Sequence, residues 1–374
     1  LHLAFIVAAW FNQSLLCGTA DWALVMLILG IETSCDETSV AVVQDGRRVL
    51  SNVICSQIDI HAKFGGIVPE VASRKHLELI GPAVEEAMRE SGIQWQSVDG
   101  IAVTHGPGLV GSLLIGVATA KALAYVHKLP LIAINHLEGH IYANFLAHED
   151  IQFPVLNLIV SGGHSDLVLM RGHPQRMMDI PADRPHRHIR VGRARDDAAG
   201  EAFDKVARAL GLGFPGGPAI DRLAREGNAY AADFPTADLG DSLDFSFSGL
   251  KTAVFRRAEG IDSPEKPLST ADLAASFQRA VVHALVEKTF FAAERYRVTT
   301  VGMVGGVSAN LSLRKAMERR AQETGVRLLI PPVELCTDNA AMIACAGHHH
   351  LAAGEESGLE FDTHARWPLG ETIA

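Results

Sequence analysis

Hydrophobic and polar positions along the chain follow a plan that is laid down once and then restarted. From Leu27 a short apolar strand (LILGIET), a polar turn (SCDET), a second strand (SVAVVQ), a turn at Asp45-Gly46 and a third strand (RVLSNVICS) predict three antiparallel strands. A helical period then runs from Pro69 to Ser91. It is followed by a buried strand (GIAVTHG), a helix from Leu109 to His127, a strand (LPLIAIN) and a helix from Leu137 to His148. At Phe153 the plan begins again with an apolar strand (PVLNLIV), the turn SGGH and a partner strand (SDLVLMR). Helices are predicted over Glu201 to Leu210, Ala219 to Glu226, Ala271 to Tyr296, Leu311 to Thr324 and Asn339 to Ala353, with strands TTVGMVG and VRLLIP between the later ones. Strands alternating with helices predict a layered α/β fold. The repeated opening hairpin predicts duplication of the architecture. Two similar lobes follow, residues 26–152 and 153–374, with the last helix packed back on the first lobe and a nucleotide-sized cleft between them.

Length supports that division, since 374 residues exceed one ordinary core and suit two, at roughly 100–200 residues per domain. The first 25 residues stand apart from the pattern. Leu3 to Phe11 is apolar like the core of a signal peptide, yet no Lys or Arg precedes it and it is too short to span a bilayer. Met26 directly precedes the first strand, so residues 1–25 read as an extension outside the fold, with no membrane association expected. A formal net charge of -10 argues against a protein that coats nucleic acid indiscriminately and confines any RNA contact to a local surface or a partner. Five scattered cysteines without a C-x-x-C pair read as reduced thiols of a cytoplasmic protein.

Candidate chemistry gathers at a few turns. His136 and His140, in NHLEGH, are four apart where a helix begins, so both imidazoles share one face at a metal-ligand spacing; two ordinary surface histidines would show the same pattern. The residue after the first histidine is Leu137, where a zincin carries its glutamate base, which weakens a peptidase reading. Glycine turns SGGH (Ser161 to His164) and GGVSAN (Gly305 to Asn310) each follow an apolar strand, and FPGGP adds a third. Backbone N–H groups in such turns can cradle phosphate or ribose oxygens. There is no P-loop signature. Carboxylates flank these turns at Glu32, Asp36, Glu37, Asp196, Asp197, Asp204, Asp221 and Asp338, most of them solvated or capping groups by default.

GIETSCDET, HGPGLVGSLLIG, NHLEGH, VSGGH, DDAAGEAFDK, FPGGP, FSFSGLKTA, GGVSAN and CTDNAAMIA occur in an order that strongly resembles the TsaD family of tRNA adenosine threonylcarbamoyltransferases, once labelled O-sialoglycoprotein endopeptidases. The resemblance runs from Leu27 to about Leu369. It implies the duplicated, two-lobed fold of actin, hexokinase and sugar kinases (ASKHA). It also implies transfer of the threonylcarbamoyl group from threonylcarbamoyl-AMP to N6 of adenine at position 37 of tRNAs reading codons that begin with A. By the same resemblance His136, His140 and Asp338 ligate one Fe(2+) ion, with zinc as an alternative, and Asp36 and Glu37 form an acidic catalytic pair. Ile159, Val160, Ser161, Gly162, Gly163, Asp204, Gly217, Asp221 and Asn310 bind the adenylate. A paralogous subunit of the same fold and a small ATPase are the implied partners. One departure is a longer segment before Asp196 containing RPHRHIRVGRAR (Arg184 to Arg195), a candidate contact for the tRNA backbone or a solvated loop. Rival readings are a metallopeptidase, an ATP-dependent small-molecule kinase and a non-catalytic scaffold.

Overall fold

The computed structural model describes residues 25–172, 187–261 and 267–372. The proposed extension, Val25 excepted, and residues 184–186 of the arginine run lie outside them. The first sheet is built from β1 (Leu27–Glu32), β2 (Glu37–Gln44) and β3 (Arg48–Ser56). After α1 (Ile58–Ala62) and α2 (Pro69–Ser91) it continues with β4 (Gly100–Gly106), α3 (Val110–His127) and β5 (Leu131–Asn135), which runs directly into α4 (His136–Ala147). Every residue of β1 is buried, as an unbroken apolar run should be when helices cover both faces of a sheet. Helix α2 starts with Pro69 at its first position and ends on Gly92 in the left-handed conformation, so each end is set by its own residue.

The second sheet opens with β6 (Val155–Val160), β7 (Ser165–Met170) and β8 (His188–Gly192). Helices α5 (Ala199–Ala209), α6 (Gly216–Leu223), α7 (Ser248–Ala258) and α8 (Thr270–Arg295) follow. The chain then forms β9 (Thr300–Val304), α9 (Leu311–Thr324), β10 (Arg327–Leu329), α10 (Ala340–Ala352) and β11 (Glu371–Thr372). Strand order is β3-β2-β1-β4-β5 in one sheet and β8-β7-β6-β9-β10 in the other, which β11 extends beyond β8. The pairing senses also match: antiparallel across β1–β2 and β6–β7, parallel across β1–β4 and β6–β9. The duplicated plan is therefore repeated strand for strand.

Helix α10 lies on the first sheet, against β1, β2 and β4, and beside α4. Gly30 permits this, because a Cβ there would stand 2.3 Å from the Ala340 carbonyl oxygen. Ile134, Leu137, Ile141, Ile159, Val304 and Ile343 belong to one apolar core, in which α4 packs against strands of both sheets. Helix α3 is long and apolar enough to cross a membrane by length and composition; it packs against α2 and β4.

One expectation is corrected. The described part of the arginine run is no open loop: His188–Gly192 is strand β8, with His188, Ile189 and Val191 buried. Arg187, with a side chain 9% exposed, faces Glu138 and Glu355. The frequent arginines mask an alternating strand pattern when the segment is read for charge alone.

Candidate metal centre and substrate cleft

The site starts where β5 becomes α4 without a loop. The Asn135 side chain accepts the Leu137 N–H at 2.9 Å, capping the helix so that His136 is its first residue at the edge of the sheet. One turn later comes His140, and the two imidazole centroids are 4.6 Å apart. Asp338 arrives from the loop before α10, which is fixed on both sides of it: Asn339 caps α10 at 3.1 Å through the Met342 N–H and donates from Nδ2 to the Thr337 carbonyl at 2.8 Å, and Ser39 Oγ accepts the Ala340 N–H at 2.9 Å. Asp338 Oδ1 thus lies 3.1 Å from His140 Nε2 and 3.5 Å from His136 Nε2. The three potential ligand atoms lie within 4.8 Å of one another.

Behind His136 is Glu32, the last residue of β1 and wholly buried. Its Oε2 is 3.1 Å from His136 Nδ1 and accepts the Thr104 hydroxyl, while Oε1 accepts the Ser34 N–H at 2.5 Å. A buried carboxylate on Nδ1 holds the proton there and turns Nε2 toward Asp338, the arrangement that orients metal-binding histidines. Burial opposes charge on His136, but the Asp338 and Glu32 carboxylates outweigh it and raise its pKa to about 9. Asp338 is half-buried, which opposes its charge, yet His136 and His140 hold it well below the usual carboxylate range. Glu37 behaves oppositely: burial, Asp338 and Asp36 push it up to about 10.

These residues fit a cation. Both ring nitrogens of His140 are buried and make no hydrogen bond of acceptable geometry among the described residues, although Nε2 faces a carboxylate oxygen. Such a deficit is costly inside a protein unless a ligand relieves it. Imidazole with carboxylate is a donor set that suits zinc and ferrous iron alike.

Next to this cluster is a cleft of about 490 Å³, within the size range of small-molecule sites. Of the residues expected at the adenylate, Gly162, Asp204, Gly217, Asp221 and Asn310 line it. Asp204 Oδ1 accepts the Gly216 N–H at 2.7 Å and so fixes the PGGP turn, while burial raises its pKa. Asn310 caps α9 through the Leu313 N–H at 2.9 Å and donates to Gln278 at 2.7 Å. Asp221 pairs with Arg225 at 2.8 Å. Ser161 and Gly163 complete the turn after β6, closed by the Ser161 N–H donating to the His164 carbonyl at 2.9 Å. Gly305, at φ +93, comes so close to β6 that a Cβ would lie 2.5 Å from the Val160 carbonyl oxygen. Ile159 and Val160 differ from the rest. Their side chains are wholly buried in β6, so they carry the turn and present no side chain to the cleft.

His164 links the two features. It ends the turn whose Gly162 lines the cleft, and it is pushed down to about 4 by burial first and then by His136 and His140. Neither His164 nor the support from Glu32 was singled out by local sequence pattern. The signals were present as the last residue of SGGH and the first carboxylate of GIETSCDET.

Comparison with known proteins gives a consistent answer. A family model described as tRNA N6-adenosine threonylcarbamoyltransferase (TsaD) matches residues 48–345. A protein of that name from Symbiobacterium thermophilum is 53% identical over 336 residues, covering 90% of this chain and 95% of its relative. Another from Anaeromyxobacter dehalogenans is 52% identical over 344 residues, covering 91% and 99%. Among solved structures, full-length HypF in its phosphate- and nucleotide-bound form aligns with a TM-score of 0.56 at 14% identity, over 89% of this chain and 47% of that one. HypF of T. kodakarensis aligns with a TM-score of 0.55 at 15% identity, over 87% and 47%. At such identity these two neighbours speak to the fold alone, which is the α/β ASKHA architecture.

Proposed function

The chain belongs to the TsaD family of tRNA N6-adenosine threonylcarbamoyltransferases, and from that premise we propose that it transfers threonylcarbamoyl from threonylcarbamoyl-AMP to N6 of adenine at position 37 of tRNAs reading codons that begin with A. The observation that carries the reading is the SGGH turn, which puts Gly162 in the wall of the cleft and His164 against the histidine–aspartate cluster. An adenylate seated in the cleft has its reactive carbonyl directed at that cluster. The backbone of Gly162 and Gly163 and the groups of Asp204, Gly217, Asp221 and Asn310 hold the AMP part, while Ile159, Val160 and Ser161 brace the turn from β6.

The acceptor amine is a weak nucleophile, its lone pair being delocalised into adenine, so orientation of the two reactants supplies much of the rate. N6 bonds to the carbamoyl carbon, the bond from that carbon to the phosphate oxygen of AMP breaks, and the amine loses a proton. His136, His140 and Asp338 would hold the metal, Fe(2+) in the family reading or zinc with the same donors. When bound, it supplies Lewis-acid polarisation of the reacting carbonyl. Glu32 keeps His136 in the ligating tautomer. Asp36 and Glu37 are the acidic pair at the reacting end in this reading; burial, Asp338 and Asp36 raise the Glu37 pKa in the metal-free site. Leu137, buried in the core, occupies the position where a zincin carries its base, which leaves the peptidase reading without a catalyst.

The finer assignments follow the same premise. Residues 26–152 and 153–374 form the two lobes. A paralogous subunit of the same fold would cover the apolar face of α2 and α3, where Leu77, Val110, Leu114 and Tyr125 are each more than half exposed. A small ATPase completes the assembly, and the free Cys35, Cys55, Cys336 and Cys345 suit the reducing cytoplasm. The test supplies the full chain and both partners with threonylcarbamoyl-AMP and unmodified tRNA. Threonylcarbamoyladenosine in the digested tRNA is expected by mass spectrometry, together with one AMP per modification. No product with every component present would refute the reading.

A further inference from the structure

On the second sheet, β8 ends at Gly192, paired with Leu167 of β7, and β7 begins at Ser165 immediately after the SGGH turn. The residues that follow Gly192 therefore leave the sheet at the edge that carries His164. They lie about two strand spacings, or ~10 Å, from β6. Here a groove of about 550 Å³ is lined by Arg190, Arg193, Arg195 and Arg295, with Tyr296 on its wall. Asp241 and Asp244 are its acidic members, and the buried Asp166 of β7 interacts with Arg190 and Arg193, so among the described residues four guanidinium groups meet three carboxylates in a chain whose net charge is -10.

The hydrogen bonds sharpen this imbalance. Arg195 Nε pairs with Asp244 Oδ2 at 2.8 Å and Nη2 donates to Ser242 Oγ at 3.1 Å, so Asp244 is already engaged. Its other oxygen accepts the Arg193 N–H at 3.1 Å. Arg295 Nη1 instead donates to the Asp241 backbone carbonyl at 2.9 Å, a neutral acceptor. The neighbouring Lys288 ammonium likewise donates to a carbonyl, that of Ser242. Arg193 is exposed at the groove mouth. Arginines anchored in this way present charge at fixed positions, which favours a phosphodiester over a diffusely bound ion.

We propose that the groove formed by Arg190, Arg193, Arg195 and Arg295 holds the phosphate backbone of the acceptor RNA beside the adenine that enters the site. This inference rests on the functional reading above and adds to it the surface of this chain that grips the RNA. An anticodon loop has an exposed single-stranded backbone, and a phosphate held two strands from the SGGH turn leaves the neighbouring nucleotide free to swing toward the histidine–aspartate cluster.

The test measures equilibrium binding of unmodified tRNA to the full chain at several salt concentrations, comparing wild type with Arg193→Glu/Arg295→Glu. The double variant should bind tRNA on the order of tenfold or more weakly, with a log–log salt dependence shallower by roughly 0.7 per lost phosphate contact. Its affinity for AMP should not change, because the adenylate cleft is separate. Arg193→Gln, an exposed neutral change, should weaken tRNA binding in the same direction without threatening the fold. Unchanged tRNA affinity and salt slope in both variants, with a wild type that modifies tRNA, would overturn the groove alone. Millimolar inorganic phosphate fully displacing tRNA would reassign the groove to free anions. A wild type that neither binds nor modifies tRNA would overturn the functional reading and the groove with it.

Discussion

Two residues apart on α4, His136 and Glu138 face opposite ways, and each side of the helix buries ionisable groups. On the Glu138 side the charges pair among themselves, although Arg187 Nε, His188 Nε2 and His350 Nε2 make no hydrogen bond of acceptable geometry among the described residues. Glu138 Oε1 lies 3.2 Å from His350 Nε2, 3.9 Å from His188 Nδ1 and 4.0 Å from Arg187 Nη1, and Arg187 also donates to the Tyr142 hydroxyl at 3.3 Å. Burial opposes its charge, yet His350, His188 and Arg187 hold its carboxyl down at about 2. On the His136 side the account stays open: Glu32, Asp36, Glu37 and Asp338 crowd around histidines, Glu37 is forced to keep a proton, and His140 leaves both nitrogens without hydrogen bonds among the described residues. Burial of charge therefore does not separate a functional face from a structural one. The balance of charge does: on the Glu138 side two carboxylates meet Arg187 and two histidines, whereas on the His136 side four carboxylates crowd the cluster and Glu37 is pushed up to about 10.

The largest effect that breaks this comparison is a pair of substitutions with opposite signatures. Asp338→Asn keeps shape but removes the ligand charge. Metal content, read by elemental analysis, and transfer should both fall to background, while the melting temperature of the metal-stripped protein changes by no more than a few degrees, because the pairing lost with His136 and His140 is partly offset by the repulsion relieved at Glu37. Glu138→Ala should do the reverse. With Arg187 and His350 left buried beside a missing carboxylate, the fold should lose ~3 kcal/mol in denaturant titration, the scale for breaking one side of a buried pair. Metal content in the folded fraction should persist. Equal loss of stability from both substitutions would remove the distinction between the faces.

A smaller effect sharpens it. Glu32 touches no potential ligand atom of the cluster, only His136 Nδ1, so Glu32→Gln should retain the site and weaken metal affinity by about 10–100-fold, with little change in melting temperature. A competition titration against a chelator reads this directly. Unaltered affinity would reduce Glu32 to a packing role.

How far this was legible in the sequence depends on the range of the signal. The duplicated strand plan followed from local periodicity, and α2, β4 and α9 fall on their expected residues because capping and apolar period agree there. Helix α7 was missed: its short pattern carries Gly249 and a serine start, weak signals beside the turn-rich stretch before it. Strand β8 was hidden by its arginines. At the site, the spacing of His136 and His140 is a property of one helix, but Asp338 is brought to them by α10 packing on the first sheet. Its role came from family motifs, since no local pattern contains it. The Glu138 cluster was wholly unseen, because Arg187, His188, His350 and Glu355 meet only through tertiary packing.

The smallest expected effect concerns that closed side and its pH dependence. Burial works against a charged His350, but Glu138 and then Glu355 raise its pKa from 6.5 to about 10, with Arg187 and His188 as the other charged or titratable groups nearby. A pKa raised in the folded state means that folding binds a proton. The stabilisation is complete below pH 6.5 and is lost as pH rises through about 10. The partner carboxyl runs the other way: with its pKa lowered from 4.5 to about 2, its contribution is complete above 4.5 and is lost only in acid. The pair therefore stabilises most between those limits, on the acidic side of neutrality. His350→Gln should lower the melting temperature by a few degrees near pH 6, and the gap to wild type should shrink steadily toward pH 10, on the scale of ~1 kcal/mol per pKa unit. Melting curves of the metal-stripped proteins at matched ionic strength isolate this term from the open side of the helix. A gap that is constant across that range would mean that His350 packs rather than pairs, and the closed face would then owe its stability to Arg187 and shape alone.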